Sequence, residues 1–394
     1  MIVKPRIRGF ICTTAHPSGC AAHVQQQIDY VREQPPVAGG IRKVLVLGAS
    51  GGYGLASRIV AAFGCGADTL GVSFEKPPTE SKTATAGWYN NAAFEAAASA
   101  AGRYAKTLEG DAFSDQMKAQ VVDVIREDLG QIDLLVYSLA APVRQHPKSG
   151  ELYRSVIKPL GEPVHIKTLN VDRGEVHQVD LEPATEEETA ATVAVMGGED
   201  WQLWLEALQA AGVLAPGFRT VAYTYIGSEL TWPIYWKGTL GKAKEDLDRA
   251  AAAIREQLQP LGGDARVATL KAIVSQASSA IPVVPLYVSL LFRVMKERGV
   301  HENCIEHIQR LFATQLDGSP MRLDDAGRIR LDDVELSDEI QGEVKRRWPQ
   351  VTTENLADLA DLPGYREDFL KIFGFGIDGV DYDAEQDPTL GRTL

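Results

Sequence analysis

Tyr225 and Tyr235 stand ten residues apart, and Lys244 lies nine beyond Tyr235. A tyrosine just ahead of a helix and a lysine inside it can converge on one side of that helix. A tyrosine hydroxyl has an unperturbed pKa of about 10, so at neutral pH it is a hydrogen-bond donor. Aimed at an oxygen that gains negative charge during a reaction, it stabilises that charge, and a nearby ammonium strengthens it. The ammonium can also hold the ribose hydroxyls of a nicotinamide nucleotide. Lys237 and Lys242 are rivals that should point elsewhere on the turn. In most chains such residues are a core ring and a solvated charge, so the chemistry depends on what precedes them.

What precedes them is a glycine-rich turn, Gly48-Ala49-Ser50-Gly51-Gly52-Tyr53-Gly54, between an apolar run and a helical pattern. Glycine serves three ends there: a sharp turn, close backbone approach to a pyrophosphate, and tight packing of helix on strand. The helix N-terminus then points N–H groups at the phosphates. Glu75 closes the second strand, 21 residues after Gly54. A carboxylate there can accept both ribose hydroxyls of an adenosine and repel a 2′-phosphate, which favours NAD(H) over NADP(H). Asp111 closes the third extended piece, where it could meet the adenine edge or simply flank a helix. Ser138-Leu139-Ala140 leaves the fourth strand on the nicotinamide side, with contacts expected from backbone.

The elements that must position these groups alternate. Lys43–Leu47 and 69–74 read as strands, 106–111 as a third extended piece and 132–137 as a fourth strand, with helical patterns between them, the second around 92–105. Ser114 caps the helix before the last of them, and Gly130 ends it. This order signals a parallel sheet covered on both faces. The rhythm lapses over 141–216, an insertion holding a hairpin at 164–181 that turns at Asp172-Arg173-Gly174, an acidic stretch at 182–188 and an amphipathic helix near 201–211. It resumes with a strand at 220–225, a helix at 238–258 and a strand at 267–274. Helices follow at 285–298, 302–316, 337–347, 353–361 and 365–373, with a hairpin at 321–331. Residues 1–40 are an extension of one or two short strands and a helix at 21–32. The expectation is one Rossmann-type domain over 1–394, whose insertion and C-terminal region, 277–394, cover the substrate site.

Composition narrows the function classes. The net charge of −13 argues against nucleic acid, which demands clustered Lys and Arg. No apolar stretch reaches the ~18–20 residues of a membrane span. The start of the chain has charges but no apolar run behind them, and four cysteines in 394 residues make no disulfide framework, so a cytoplasmic setting is expected. Cys304-x2-His307 has a metal-like spacing but lacks the second pair that a closed zinc site needs, so no metal is expected. The sequence fixes no oligomeric state and is compatible with a monomer.

The glycine loop resembles the short-chain dehydrogenase/reductase superfamily, whose usual Tyr-x3-Lys is not present. Tyr225-x9-Tyr235 with a more distant lysine resembles enoyl-acyl-carrier-protein reductases, and Tyr235-x8-Lys244 matches the trans-2-enoyl-CoA reductase/FabV-type family. The resemblance runs from Pro5-Arg-Ile-Arg-Gly-Phe10 through the glycine loop and Tyr137-Ser-Leu-Ala140 to Phe373-Gly-Phe-Gly376. It implies a Rossmann-like doubly wound sheet of the short-chain dehydrogenase/reductase type. It also implies NADH-dependent reduction of the C2=C3 bond of a 2-enoyl thioester, carried on acyl-carrier protein or coenzyme A, as the last step of fatty-acid elongation. Carried over, Tyr235 is the proton donor, Tyr225 contacts the thioester carbonyl and Lys244 binds the cofactor. The dinucleotide contacts are Gly48, Ala49, Ser50, Gly51, Gly52, Tyr53, Phe74, Glu75, Asp111, Ala112, Leu139 and Ala140. Ile273, Val274 and Ser275 form a loop at the nicotinamide end. Two other readings share parts of this pattern: a 3-ketoacyl or alcohol dehydrogenase, and a non-catalytic NAD(H)-sensing module.

Overall fold

The computed structural model describes residues 1–9, 11–139 and 141–389. Seven strands pair in parallel: β1 (Lys43–Leu47), β2 (Asp68–Ser73), β3 (Ala105–Glu109), β4 (Ile132–Tyr137), β5 (Leu214–Thr224), β6 (Asp264–Thr269) and β7 (Ile329–Arg330). Their order in the sheet is β3-β2-β1-β4-β5-β6-β7. The chain therefore reverses direction between β1 and β4, and ligands of such sheets bind beyond the carboxyl ends of the strands at that point.

In chain order the helices are α1 (Pro17–Glu33), α2 (Gly52–Ile59), α3 (Ala86–Ala100), α4 (Asp115–Val124), α5 (Glu186–Met196), α6 (Glu199–Ala210), α7 (Thr239–Leu258), α8 (Gln276–Ser279), α9 (Val284–Glu297), α10 (Cys304–Gln315), α11 (Asp338–Arg347), α12 (Leu356–Leu359) and α13 (Leu362–Lys371). The central strands β1 and β4 are nearly pure apolar runs because both sheet faces are covered there. Side chains alternate between the faces, so β1 divides its residues. Val44 and Val46 join the core under α1, α2 and α10, with Ile28, Ile59 and Phe312. Leu45 and Leu47 join the opposite core under α4, α6 and α7, with Val121, Trp204 and Ile254. A third core holds α9, α11 and α13 together through Tyr287, Leu291, Val344, Tyr365 and Phe369. The hairpin Val164–Asn170/Glu175–Leu181 lays Ile166 and Leu169 against that third core.

Several expectations shift. The tryptophans of α6 bury against the sheet, so α6 is its covering helix and the interruption ahead of it is shorter than 141–216. The acidic stretch opens helix α5, where Thr185 and Glu188 form a reciprocal capping box. Helix α3 begins and ends earlier than the pattern around 92–105, because its first turns bury Trp88, Tyr89, Asn90 and Asn91 with no polar face to reveal them. The hairpin at 321–331 forms, with Gly327 N–H donating to Asp324 O and Leu323 bridging Ile329 antiparallel, and its second arm also joins the main sheet as strand β7. Helix 353–361 shrinks to the single turn α12. Near the start, Ile7–Arg8 pairs with Ile11–Cys12.

Candidate active site

The glycine turn follows β1 at the reversal of the sheet. Gly48 has φ 82°. A Cβ on Gly48 would stand 2.1 Å from Ser138 O, and one on Gly54 would stand 1.9 Å from Gly48 O. Both glycines are thus required by close backbone contacts, between the two central strands and between helix and loop. Gly51 is the N-cap of α2 and no side chain bonds there, so the first N–H groups of the helix remain open to an anion. Gly51, Gly52 and Asn90 line a cleft of about 280 Å³ together with Ile273, Val274 and Ser275. The structure thereby joins the phosphate loop to the expected nicotinamide-end loop. That loop begins after β6 ends at Thr269, sooner than the strand expected to 274, and Ser275 caps α8 with its hydroxyl.

Glu75 leaves β2 beside this loop. Ser50 Oγ donates to Glu75 Oε1 at 2.6 Å, and Asn90 Nδ2 donates to Ser50 O at 3.0 Å. Gly87 makes room for the carboxylate, since a Cβ there would lie 2.2 Å from Glu75 Oε1. Phe74 is 78% exposed, a large apolar ring open to solvent next to Glu75. Asp111 stands two residues past the end of β3, and its Oδ1 accepts the Phe113 N–H at 2.9 Å. Ala112 is buried and its carbonyl accepts Trp204 Nε1–H at 3.1 Å. Leu139 packs at the edge of the sheet core. Ala140 lies outside the described residues. Tyr53 faces away from the open helix end: its hydroxyl donates to Lys271 O at 2.9 Å and its ring packs on His307.

Beyond β5, residues 228–241 wind tightly around Tyr235. The Tyr235 N–H donates to Thr231 O, and Tyr235 O accepts the N–H groups of Gly238 and Gly241. A Cβ on Gly241 would sit 1.8 Å from Trp236 O, so only glycine lets the turn close into α7. The Tyr225 and Tyr235 rings meet edge to face, with centroids 5.0 Å apart. Burial raises the pKa of the Tyr235 hydroxyl, which keeps it a proton-bearing donor. Lys244 lies in the second turn of α7, as the spacing anticipates. It is partly buried, and desolvation lowers its pKa to about 8. Asp248, whose charge partly offsets that desolvation, is taken by Arg328 at 2.6 Å.

Tyr225 has a partner that the sequence did not disclose. Its hydroxyl donates to Glu335 Oε1 at 2.9 Å, and Tyr287 donates to the same oxygen at 2.8 Å. Glu335 Oε2 accepts the Ala272 N–H at 2.6 Å, just ahead of Ile273. Glu335 is 1% exposed, and burial raises its pKa. The metal-like Cys304-x2-His307 pair serves structure. His307 Nε2 accepts the Lys271 N–H at 3.2 Å and Nδ1 faces Glu302 at 2.8 Å, so both ring nitrogens are engaged. Burial lowers its pKa to about 4, so the ring is neutral with its proton on Nδ1.

A doubly wound sheet whose reversal point opens onto an uncapped glycine turn, in a chain that also carries a buried tyrosine just ahead of α7 and a partly buried lysine within it, has the makings of a nicotinamide-nucleotide oxidoreductase. Comparison with known proteins narrows the class. Residues 2–80 match the family described as NAD(P)H binding domain of trans-2-enoyl-CoA reductase, and 82–317 match the trans-2-enoyl-CoA reductase catalytic region. The chain belongs to the trans-2-enoyl-CoA reductase family. It is 59% identical over 394 residues to the enoyl-[acyl-carrier-protein] reductase [NADH] of Saccharophagus degradans, covering 100% of both chains. It is 58% identical over 388 residues to that of Edwardsiella ictaluri, covering 98% of both chains. Among solved structures, Clostridium acetobutulicum trans-2-enoyl-CoA reductase in complex with NADH superposes with TM-score 0.97 at 44% identity, covering 100% of both chains. The Treponema denticola enzyme in complex with NAD superposes at 0.94 and 48% identity, also covering 100% of both chains.

Residues 323–385 match a family described as an enoyl reductase FAD binding domain. The residues present do not fit a flavin dinucleotide. The two longer helices of the segment are closed by their own side chains, Ser337 bonding Ile340 N–H and Asp361 bonding Gly364 N–H. The Asp361 carboxylate would repel a pyrophosphate at the start of α13, while the opposite arrangement exists at Gly51. Helix α13 instead lends Asp368 and Lys371 to the wall of the cleft beside the glycine turn.

Proposed function

We propose that the chain reduces the C2=C3 double bond of trans-2-enoyl thioesters with NADH, Tyr235 and Lys244 carrying the chemistry. The observation that supports this most is the Tyr225–Tyr235 pair, linked through Glu335 and the Ala272 N–H to the loop that lines the cleft with the open glycine turn, in a chain related end to end to NADH-dependent enoyl reductases. The exposed N–H groups at Gly51 and Gly52 bind the pyrophosphate, Glu75 accepts the adenosine ribose hydroxyls, and Lys244 donates to the nicotinamide ribose. Bound NADH supplies a hydride to C3. Charge then develops on the thioester oxygen, where the Tyr235 hydroxyl donates and Tyr225 places the carbonyl. The apolar third core, with Ile234, Ile281 and the 164–181 hairpin above α9, shields the acyl chain from water. The hairpin and the C-terminal helices form that cover as part of a single domain.

The carrier is acyl-carrier protein or coenzyme A, and the reaction completes a cycle of fatty-acid elongation. The four cysteines are all unpaired, which fits a reducing cytoplasm. Among the described residues no helix is long and apolar enough to cross a membrane. NADH oxidation with crotonyl thioesters on each carrier tests the reading directly. Turnover of the crotonyl substrate is expected, with little turnover of a matched 3-ketoacyl thioester. The reverse preference would make the chain a ketoacyl reductase.

Glu75 sets the cofactor choice in this reading. A 2′-phosphate beside a carboxylate already tied to Ser50 costs on the order of 1–3 kcal/mol, roughly a ten- to hundredfold preference for NADH in kcat/KM. Glu75→Ser should shrink that preference by raising NADPH efficiency. Parallel kinetics with both cofactors decide it; equal efficiency in the parent enzyme would remove Glu75 from this role.

A further inference from the structure

Proton counting around Glu335 is over-determined. One carboxylate oxygen, Oε1, faces two tyrosine hydroxyls, from Tyr225 at the end of β5 and Tyr287 on α9. The other oxygen receives the Ala272 N–H. Gln341 on α11 donates to the Tyr287 oxygen at 3.0 Å and to Glu335 O at 2.7 Å. An ionised Glu335 takes both tyrosine protons, and Tyr225 then has none left for a substrate oxygen. If Glu335 carries a proton, Tyr287 still donates to it, because both lone pairs of the Tyr287 oxygen are engaged, one by the Gln341 amide and one by the Ser228 hydroxyl. The open acceptor for the carboxyl proton is therefore the Tyr225 oxygen. Accepting there turns the Tyr225 O–H outward.

We propose that Glu335 is a positioning residue of the reduction: in its protonated form it donates to the Tyr225 oxygen and frees the Tyr225 proton for the thioester oxygen. The proposal rests on Tyr225 contacting that oxygen. Burial favours the protonated acid, with the Ala272 N–H, Lys271 and the two tyrosines opposing it. Lys271 is itself buried, its Nζ held by Ala272 O at 2.8 Å over the Phe292 ring. The neighbouring acids on the same segment are occupied, Asp332 by Arg330 and Asp333 by Arg310. The same carboxylate pins the start of the Ile273–Ser275 loop through Ala272, so one residue ties the substrate donor to the cofactor wall.

The test is the pH profile of kcat/KM for a crotonyl thioester. The donor-competent acid is lost as pH rises, so the parent enzyme should show an alkaline limb falling about tenfold per pH unit past the Glu335 ionisation. E335Q turns its carbonyl oxygen to the Ala272 N–H and its amide N–H to Tyr225, a donor that cannot ionise, so this limb should vanish. Y225F, which leaves Glu335 untouched, should lose the same limb and lower kcat/KM at every pH. Fluorescence titration of NADH across the same range isolates the Lys244 ionisation, which should be the same in the parent enzyme and E335Q. A parent profile superimposable on that of E335Q overturns the proposal. So does a folded, NADH-binding E335Q that has lost turnover. A parent enzyme that ignores crotonyl thioesters altogether instead overturns the function proposed above.

Discussion

Tyr235→Phe should leave a folded protein that binds NADH and turns over about 10²–10³ times more slowly. The substitution removes one hydroxyl and keeps the ring that packs against Tyr225. The backbone bonds that wind residues 228–241 around position 235 come from its N–H and C=O, so the turn does not depend on the side-chain oxygen. What is lost is a donor that counts only once charge develops on the thioester oxygen. The cost therefore falls on kcat more than on KM, with the size typical of a single oxyanion donor. Steady-state kinetics with NADH affinity from fluorescence titration separate the two. A folded variant with near-normal kcat would move the role to Tyr225.

The parts of this architecture that could be read in advance are those where one physical constraint dominates. Strands β1 and β4 were readable to the residue because both faces are buried, which forces an unbroken apolar run. The glycine turn was readable because Gly48 and Gly54 face backbone oxygens at distances no Cβ tolerates. The placement of Tyr235 ahead of α7 and of Lys244 in its second turn was readable through spacing. Helix α5 carried a readable signal, the Thr185/Glu188 capping box, hidden by its acidic composition. Glu335 carried none. It follows Asp332, Asp333 and Val334, a run that looks solvated, and only the tertiary fold buries it against Tyr225, Tyr287 and Ala272. Asn90 and Gly87 were equally silent, since their roles lie in what β2 and the glycine turn bring to them.

Lys244→Met should weaken cofactor binding and stabilise the fold at the same time. The ammonium is desolvated in the second turn of α7, and Asp248, whose charge opposes that effect, is committed to Arg328. Losing a charged donor to ribose hydroxyls costs about 1.5–3 kcal/mol, so the NADH dissociation constant should rise roughly ten- to a hundredfold, with turnover falling as well. Stability moves the other way. The folded protein releases the Lys244 proton near 8, while an unperturbed lysine releases it at 10.5, so between those values the unfolded chain holds more protons. Stability attributable to this residue therefore rises with pH across that window, and below 8 the buried charge is a net cost. Methionine fills the same volume without charge, so stability without cofactor should rise at pH 7 by an amount on the order of 1–3 kcal/mol, seen as a higher thermal midpoint. The advantage should fade as pH climbs toward 10, because the parent side chain then becomes neutral too. Thermal melts at pH 7 and pH 10, paired with NADH titrations, read both effects. A variant less stable than the parent at pH 7 would mean that Lys244 is held by a compensating partner, and the cofactor-binding role would lose its physical basis.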